Sequence, residues 1–146
     1  MMSRTSRTVV VISALLALAL GSRAAQAATP VDETEPSKLL VVWTSADKEV
    51  ALKMVYMYTY NAKKNGWWDE VRFLIWGPSA RLLAEDQELQ EYVKKMKDEG
   101  VELTACKACA DSYGVSEKLE GIGVKVFYAG KDLTAMLKSD WVTITF

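Results

Sequence analysis

The chain contains no histidine. This one absence removes Ser-His and Cys-His nucleophilic catalysis, imidazole metal ligands and histidine general bases together. Cysteine is nearly absent, with two residues. Structural zinc takes four ligands, so only carboxylates, or cysteines shared between copies, are left to complete such a site. A basic surplus is missing as well. The 18 Lys and Arg are outnumbered by 19 Asp and Glu, which argues against a nucleic-acid footprint. There are no internal repeats or low-complexity tracts, and Gly77-Pro78-Ser79 lacks the pattern of a phosphate loop. No apolar run approaches the about 20 residues that span a bilayer.

The longest run, residues 9–20, instead fits the apolar centre of a secretory signal peptide. Arg4 and Arg7 supply the positive start, and Ala25-Gln26-Ala27 is a small-x-small cleavage site. Residues 1–27 are therefore expected to be removed, leaving Ala28 first and the protein periplasmic or secreted. No stable membrane insertion is expected after cleavage. Cleavage takes away Arg4, Arg7 and Arg23 and no acid, so 119 residues remain with a net charge of −4. Residues 28–37 are polar, carry Pro30 and Pro36, and read as a flexible lead-in. Residues 38–146 are long enough for one domain with a real core.

Within that domain, strand-like and helix-like segments alternate. Apolar strands are expected at residues 38–43, 71–76, 101–105, 124–128 and 141–146. Helices are expected at 47–64 behind an Asp47 cap, from Pro78 through 83, at 86–99, at 107–113, at 116–120 behind a Ser116 cap, and around Leu133 and Met136. This alternation predicts an α/β fold, a three-layer sandwich around a mostly parallel five-stranded sheet. Sites in such sheets lie beyond the carboxyl ends of the strands. The helix at 47–64 carries more apolar residues than one stripe needs, among them Met54, Val55, Tyr56, Met57 and Tyr58. That surplus fits either a broad core contact or a core face backed by a subunit interface, with Trp67 and Trp68 extending the same surface.

The two cysteines form Cys106-Lys107-Ala108-Cys109, directly after the run Val101-Glu102-Leu103-Thr104-Ala105. In an exported protein a pair of cysteines normally suggests a structural disulfide. A bridge over two intervening residues closes too small a loop to remove much unfolded-state entropy. The placement, at a strand end and a helix start, favours thiolate through unpaired N–H groups and the helix dipole. Cys106 and Cys109 are therefore the candidate catalytic residues, Cys106 the more reactive and Cys109, about one turn on, its resolving partner. Lys107 and Asp111 are the nearby charges. Ser45 and Asp47, at the end of the first strand, either line the same pocket or cap the helix.

The β-α order, the third strand running into Ala105-Cys106, the short helix ending at Gly114-Val115 and the closing strand that finishes on Phe146 resemble the DsrE/DsrF-like sulfur-carrier family across residues 38–146. That resemblance implies a persulfide on Cys106 and assembly into trimers or hexamers; no metal or other cofactor is expected. Cys109 stands where cytoplasmic carriers have a small apolar residue, and the signal peptide sets this chain apart from the cytoplasmic tRNA-thiolation relay. The reading is a periplasmic sulfur-transfer or sulfur-binding protein whose partners are a sulfur donor or acceptor protein and further copies of itself. Two alternatives share the fold: a thiol–disulfide oxidoreductase, and a non-catalytic oligomeric binding module.

Overall fold

Five strands, β1 (Lys38–Trp43), β2 (Glu70–Ile75), β3 (Glu102–Cys106), β4 (Lys125–Phe127) and β5 (Val142–Thr145), form one all-parallel sheet in the order β4-β3-β2-β1-β5. The computed structural model describes residues 37–146. The expected signal peptide and all but the last residue of the lead-in lie outside those residues. Alternation along β1 explains why an unbroken apolar run suits this sheet. Leu39, Val41 and Trp43 enter one core, while Leu40 and Val42 enter another on the opposite face.

The strand order decides which helices cover which face. From β1 to β4 the chain steps one way across the sheet, so right-handed crossovers place the intervening helices on one side. These are α1 (Lys48–Val50, Ala51–Tyr56 and Met57–Lys64), α2 (Pro78–Glu85), α3 (Gln87–Asp98), α4 (Lys107–Ser112) and α5 (Ser116–Gly121). They bury Val55, Leu83, Val93, Ala110 and Leu119 against the sheet. The return from β4 to β5 crosses back over three strands, and its helix α6 (Gly130–Leu137) covers the opposite face. The core on that face is thin: Leu40, Val42, Leu74, Cys106, Ala129 and Met136. Arg72 ties α6 and the β5 approach to the sheet. It binds Asp132 at 2.8 Å and Glu102 at 2.6 Å, and its guanidinium lies 5.3 Å from the Trp141 ring centre.

Three local features differ from the sequence expectation. Helix α1 is not one regular helix, because Ala51–Tyr56 is wound as a π-helix. Five-residue spacing puts Ala51 and Tyr56 on one face, and both are fully buried with Val55. Strand β3 includes Cys106, which pairs in register with Phe127 of β4. Ser116 does not cap α5. Val115 takes the cap position, and the Ser116 hydroxyl donates to Asp111 at 2.7 Å. Asp47 does cap α1, accepting from the Val50 N–H at 3.0 Å. No helix among the described residues is long and apolar enough to cross a membrane.

Candidate functional site

Cys106 is both the last residue of β3 and the cap residue of α4. It has an extended backbone, φ −72° and ψ 113°, and its side chain makes no capping hydrogen bond. The first N–H groups of α4 have no carbonyl acceptor within the helix. Cys106 is 5 % exposed. Cys109, on the first turn of α4, is half-buried, and both cysteines are free thiols. Burial, followed by the neighbouring Cys106 thiol, pushes the Cys109 thiol above its ordinary value, while the Gly77 N–H pulls it the other way.

The two charges of the segment neutralise each other. Lys107 Nζ lies 2.7 Å from Asp111 Oδ2 and 5.8 Å from the Tyr128 ring centre. The Lys107 ammonium, then the Ser116 hydroxyl, holds the Asp111 carboxyl below its usual range. Neither charge is directed at the thiols as a dedicated activator. Ser45 and Asp47 are committed to the start of α1, where the Ser45 hydroxyl accepts from the Asp47 N–H at 3.0 Å. Beyond the carboxyl ends of β1 and β5, where α/β sheets often take ligands, the two strands stay bridged. The Thr44 N–H and hydroxyl donate to the Phe146 carbonyl at 2.8 and 2.7 Å.

The walls of the site come from residues that the sequence did not single out. Trp76 from the end of β2 and Phe127 from β4 are half-buried and pack on the same core as Cys106. Ile75 pairs with Ala105, and Cys106 with Phe127, so β2 and β4 flank the cysteine on either side. Sheet order supplied this information, and local sequence could not. Gly77 follows β2 as the cap residue of α2. Its φ of 74° and ψ of −136° are open to glycine and strained for other residues. A Cβ there would meet nothing within 4 Å, so any cost is conformational.

Gly77→Ala is thus expected to destabilise the fold by about 1–3 kcal/mol. It should also displace the N–H that favours the Cys109 thiolate. The pH profile of Cys109 alkylation should move upward, while Gly114→Ala, which also strains a positive φ of 66° with open space around it, should lower stability without moving that profile. An unshifted profile in Gly77→Ala would remove Gly77 from the site.

Among the described residues, no group of three or more Cys, Asp or Glu side chains could hold a metal ion. A second feature lies away from the cysteines. Met54, Met57, Tyr58, Trp67, Ile144 and Phe146 line an open apolar groove of about 500 Å³ between α1 and β5. Met54, Met57 and Trp67 are each about half exposed, at 51 %, 49 % and 57 %. Trp68 packs against the core instead.

The family model described as "DsrE/DsrF-like family" matches residues 37–146. A solved structure of a conserved protein of unknown function, BT1422 from Bacteroides thetaiotaomicron, is 32 % identical and superposes with a TM-score of 0.73. The match covers 75 % of this chain and 95 % of that one. The ychN protein of E. coli is 17 % identical with a TM-score of 0.59, covering 75 % of this chain and 99 % of that one, and shares the fold. No curated protein matches.

Proposed function

Because the chain belongs to the DsrE/DsrF-like family, we propose that it is an exported sulfur-transfer protein that carries sulfane sulfur as a persulfide on Cys106, with Cys109 as resolving thiol. The observation that carries this reading is the placement of Cys106 at the junction of β3 and α4, one turn from a second free thiol. The Cys106 thiolate attacks a sulfane sulfur. A new S–S bond forms, the donor's S–S bond breaks, and the leaving sulfur departs with that electron pair. An acceptor thiolate can then take the outer sulfur by the same displacement. Alternatively, Cys109 attacks Cys106 Sγ, its proton and the outer sulfur leave as hydrosulfide, and a Cys106–Cys109 disulfide remains. Returning that disulfide to two thiols takes a thiol reductant. Intact mass after exposure of the reduced protein to inorganic polysulfide tests the reading, with a gain of one sulfur atom, or the disulfide that follows it, expected. No change in mass would defeat it.

The proximity of two free thiols also supports the thiol–disulfide oxidoreductase reading. A redox titration against glutathione separates the two, since an oxidoreductase cycles between dithiol and disulfide without retaining sulfur.

The groove between α1 and β5 supports a homo-oligomer. Methionine and aromatic side chains are favoured at interfaces, and an apolar surface of this kind is costly to leave in water. Met57→Asp places a charge in its lining and should convert the assembly to monomer by light scattering at micromolar concentration. A parent protein that is already monomeric there would rule the assembly out.

A further inference from the structure

We propose that Cys106 is loaded by slim inorganic sulfane sulfur, such as polysulfide, and is closed to donors that carry their sulfur on a peptide or protein. This rests on the persulfide reading above and narrows its donor.

Access is the first argument. At 5 % exposure, Cys106 presents almost no surface. Its neighbours on the thin face are buried, and at the sheet's carboxyl end it is flanked by the half-buried Trp76, Phe127 and Cys109. Phe127 is held beside it by the β3–β4 register, and Trp76 by the bond from its N–H to the Trp43 carbonyl at 2.9 Å. Displacement at sulfur proceeds nearly in line, so attacking, attacked and leaving atoms share one axis. A donor must push that whole axis into the opening. A polysulfide is one atom wide along its length. A cysteine persulfide broadens into side chain and backbone immediately behind its second sulfur, where the two aromatic walls stand.

Polarity is the second argument. Lys107, the one cation of the Cys-Lys-Ala-Cys segment, is held by Asp111 and lies over Tyr128. The Gly77 N–H beside Cys109 is a donor whose small size suits a short sulfur chain.

Loading and unloading then differ. Loading must reach Cys106 Sγ, whereas an acceptor need reach only the outer sulfur, about 2 Å further out by one S–S bond. A small donor and a protein acceptor are compatible with one buried thiol. In the loading step, Cys106 thiolate and a polysulfide dianion give Cys106 persulfide anion and a polysulfide dianion one sulfur shorter. Atoms and charge balance, and no oxidant is consumed.

The test compares initial rates on the reduced full-length protein with inorganic polysulfide and with glutathione persulfide at equal sulfane sulfur. Either the added sulfur or the ensuing Cys106–Cys109 disulfide counts as reaction by intact mass. We expect polysulfide to react at least tenfold faster, and Phe127→Ala or the milder Phe127→Leu to close that gap by speeding the glutathione donor. Equal rates in the parent protein would overturn the size selection and leave the persulfide reading standing. Reaction with neither donor would overturn both.

Discussion

Cys106→Ser is expected to abolish uptake of sulfane sulfur, and Cys109→Ser is expected to trap the sulfur that is taken up. A serine hydroxyl is not ionised near neutral pH and needs a general base to attack. The usual base is histidine, and this chain has none. Cys106→Ser also places a hydroxyl in the apolar core of Leu40, Leu74 and Met136. Cys106→Ala is therefore the control that separates lost chemistry from lost packing, and it should be equally inactive. In Cys109→Ser the persulfide still forms on Cys106, but no second thiol can expel the outer sulfur as hydrosulfide.

The pH dependence of that release follows from Cys109. Burial and the neighbouring thiol push it above the ordinary cysteine value, so it is mostly protonated near neutral pH. Release from the parent protein should be slow there and accelerate as pH rises through the elevated value, whereas Cys109→Ser should show no such acceleration. If Cys106→Ser still gains sulfur and Cys109→Ser does not, the two roles are exchanged. If neither variant differs from the parent, sulfur transfer is the wrong function and the oligomeric binding-module reading takes over.

The fold was legible in the sequence because its interior strands announce themselves in the same physical way. Leu39 to Trp43 and Val71 to Ile75 are buried along nearly their whole length. Only a sheet covered on both faces accommodates such runs without exposing one side. Cys106 and Cys109 stand out as the candidate pair because no other side chain in the sequence offers comparable nucleophilic chemistry. Their surroundings were not. Trp76, Gly77 and Phe127 reach the site through the order β4-β3-β2 and its register, which are tertiary facts that no local pattern encodes. The π-helical stretch escaped for a related reason. An apolar excess at Ala51 to Tyr56 reads as a wide stripe, and only packing of Tyr56 on Trp43 shows that the helix widens to use it. Ser116 shows the limit of cap statistics. A partner in space, Asp111, outcompeted the local role.

On the persulfide reading the two faces of the sheet have different tasks, and a pair of adjacent residues can separate them. Phe73 and Leu74 follow each other on β2 and point to opposite sides. Phe73 is fully buried among the aromatic rings of the thick face. It stacks on Trp43 at 5.9 Å and meets Tyr56 edge-on at 5.7 Å. Removing its ring leaves a cavity that these large neighbours cannot fill. Phe73→Ala should therefore cost about 3–5 kcal/mol, a large share of the stability of a domain this size. At about 4 °C per kcal/mol, that is a fall in Tm of about 12–20 °C. Leu74, 1 % exposed, packs in the thin core that holds Cys106. Leu74→Ala is expected to cost about 2–5 kcal/mol and also to loosen the walls around Cys106. Well below either melting point, Phe73→Ala should take up sulfur from polysulfide at the parent rate, while Leu74→Ala should change both that rate and its preference for a slim donor. Thermal unfolding followed by uptake at a common low temperature measures both effects. Equal loss of uptake in the two variants would mean that the thick face shapes the cysteine site as much as the thin one, and that the division between a stabilising layer and a reactive layer is wrong.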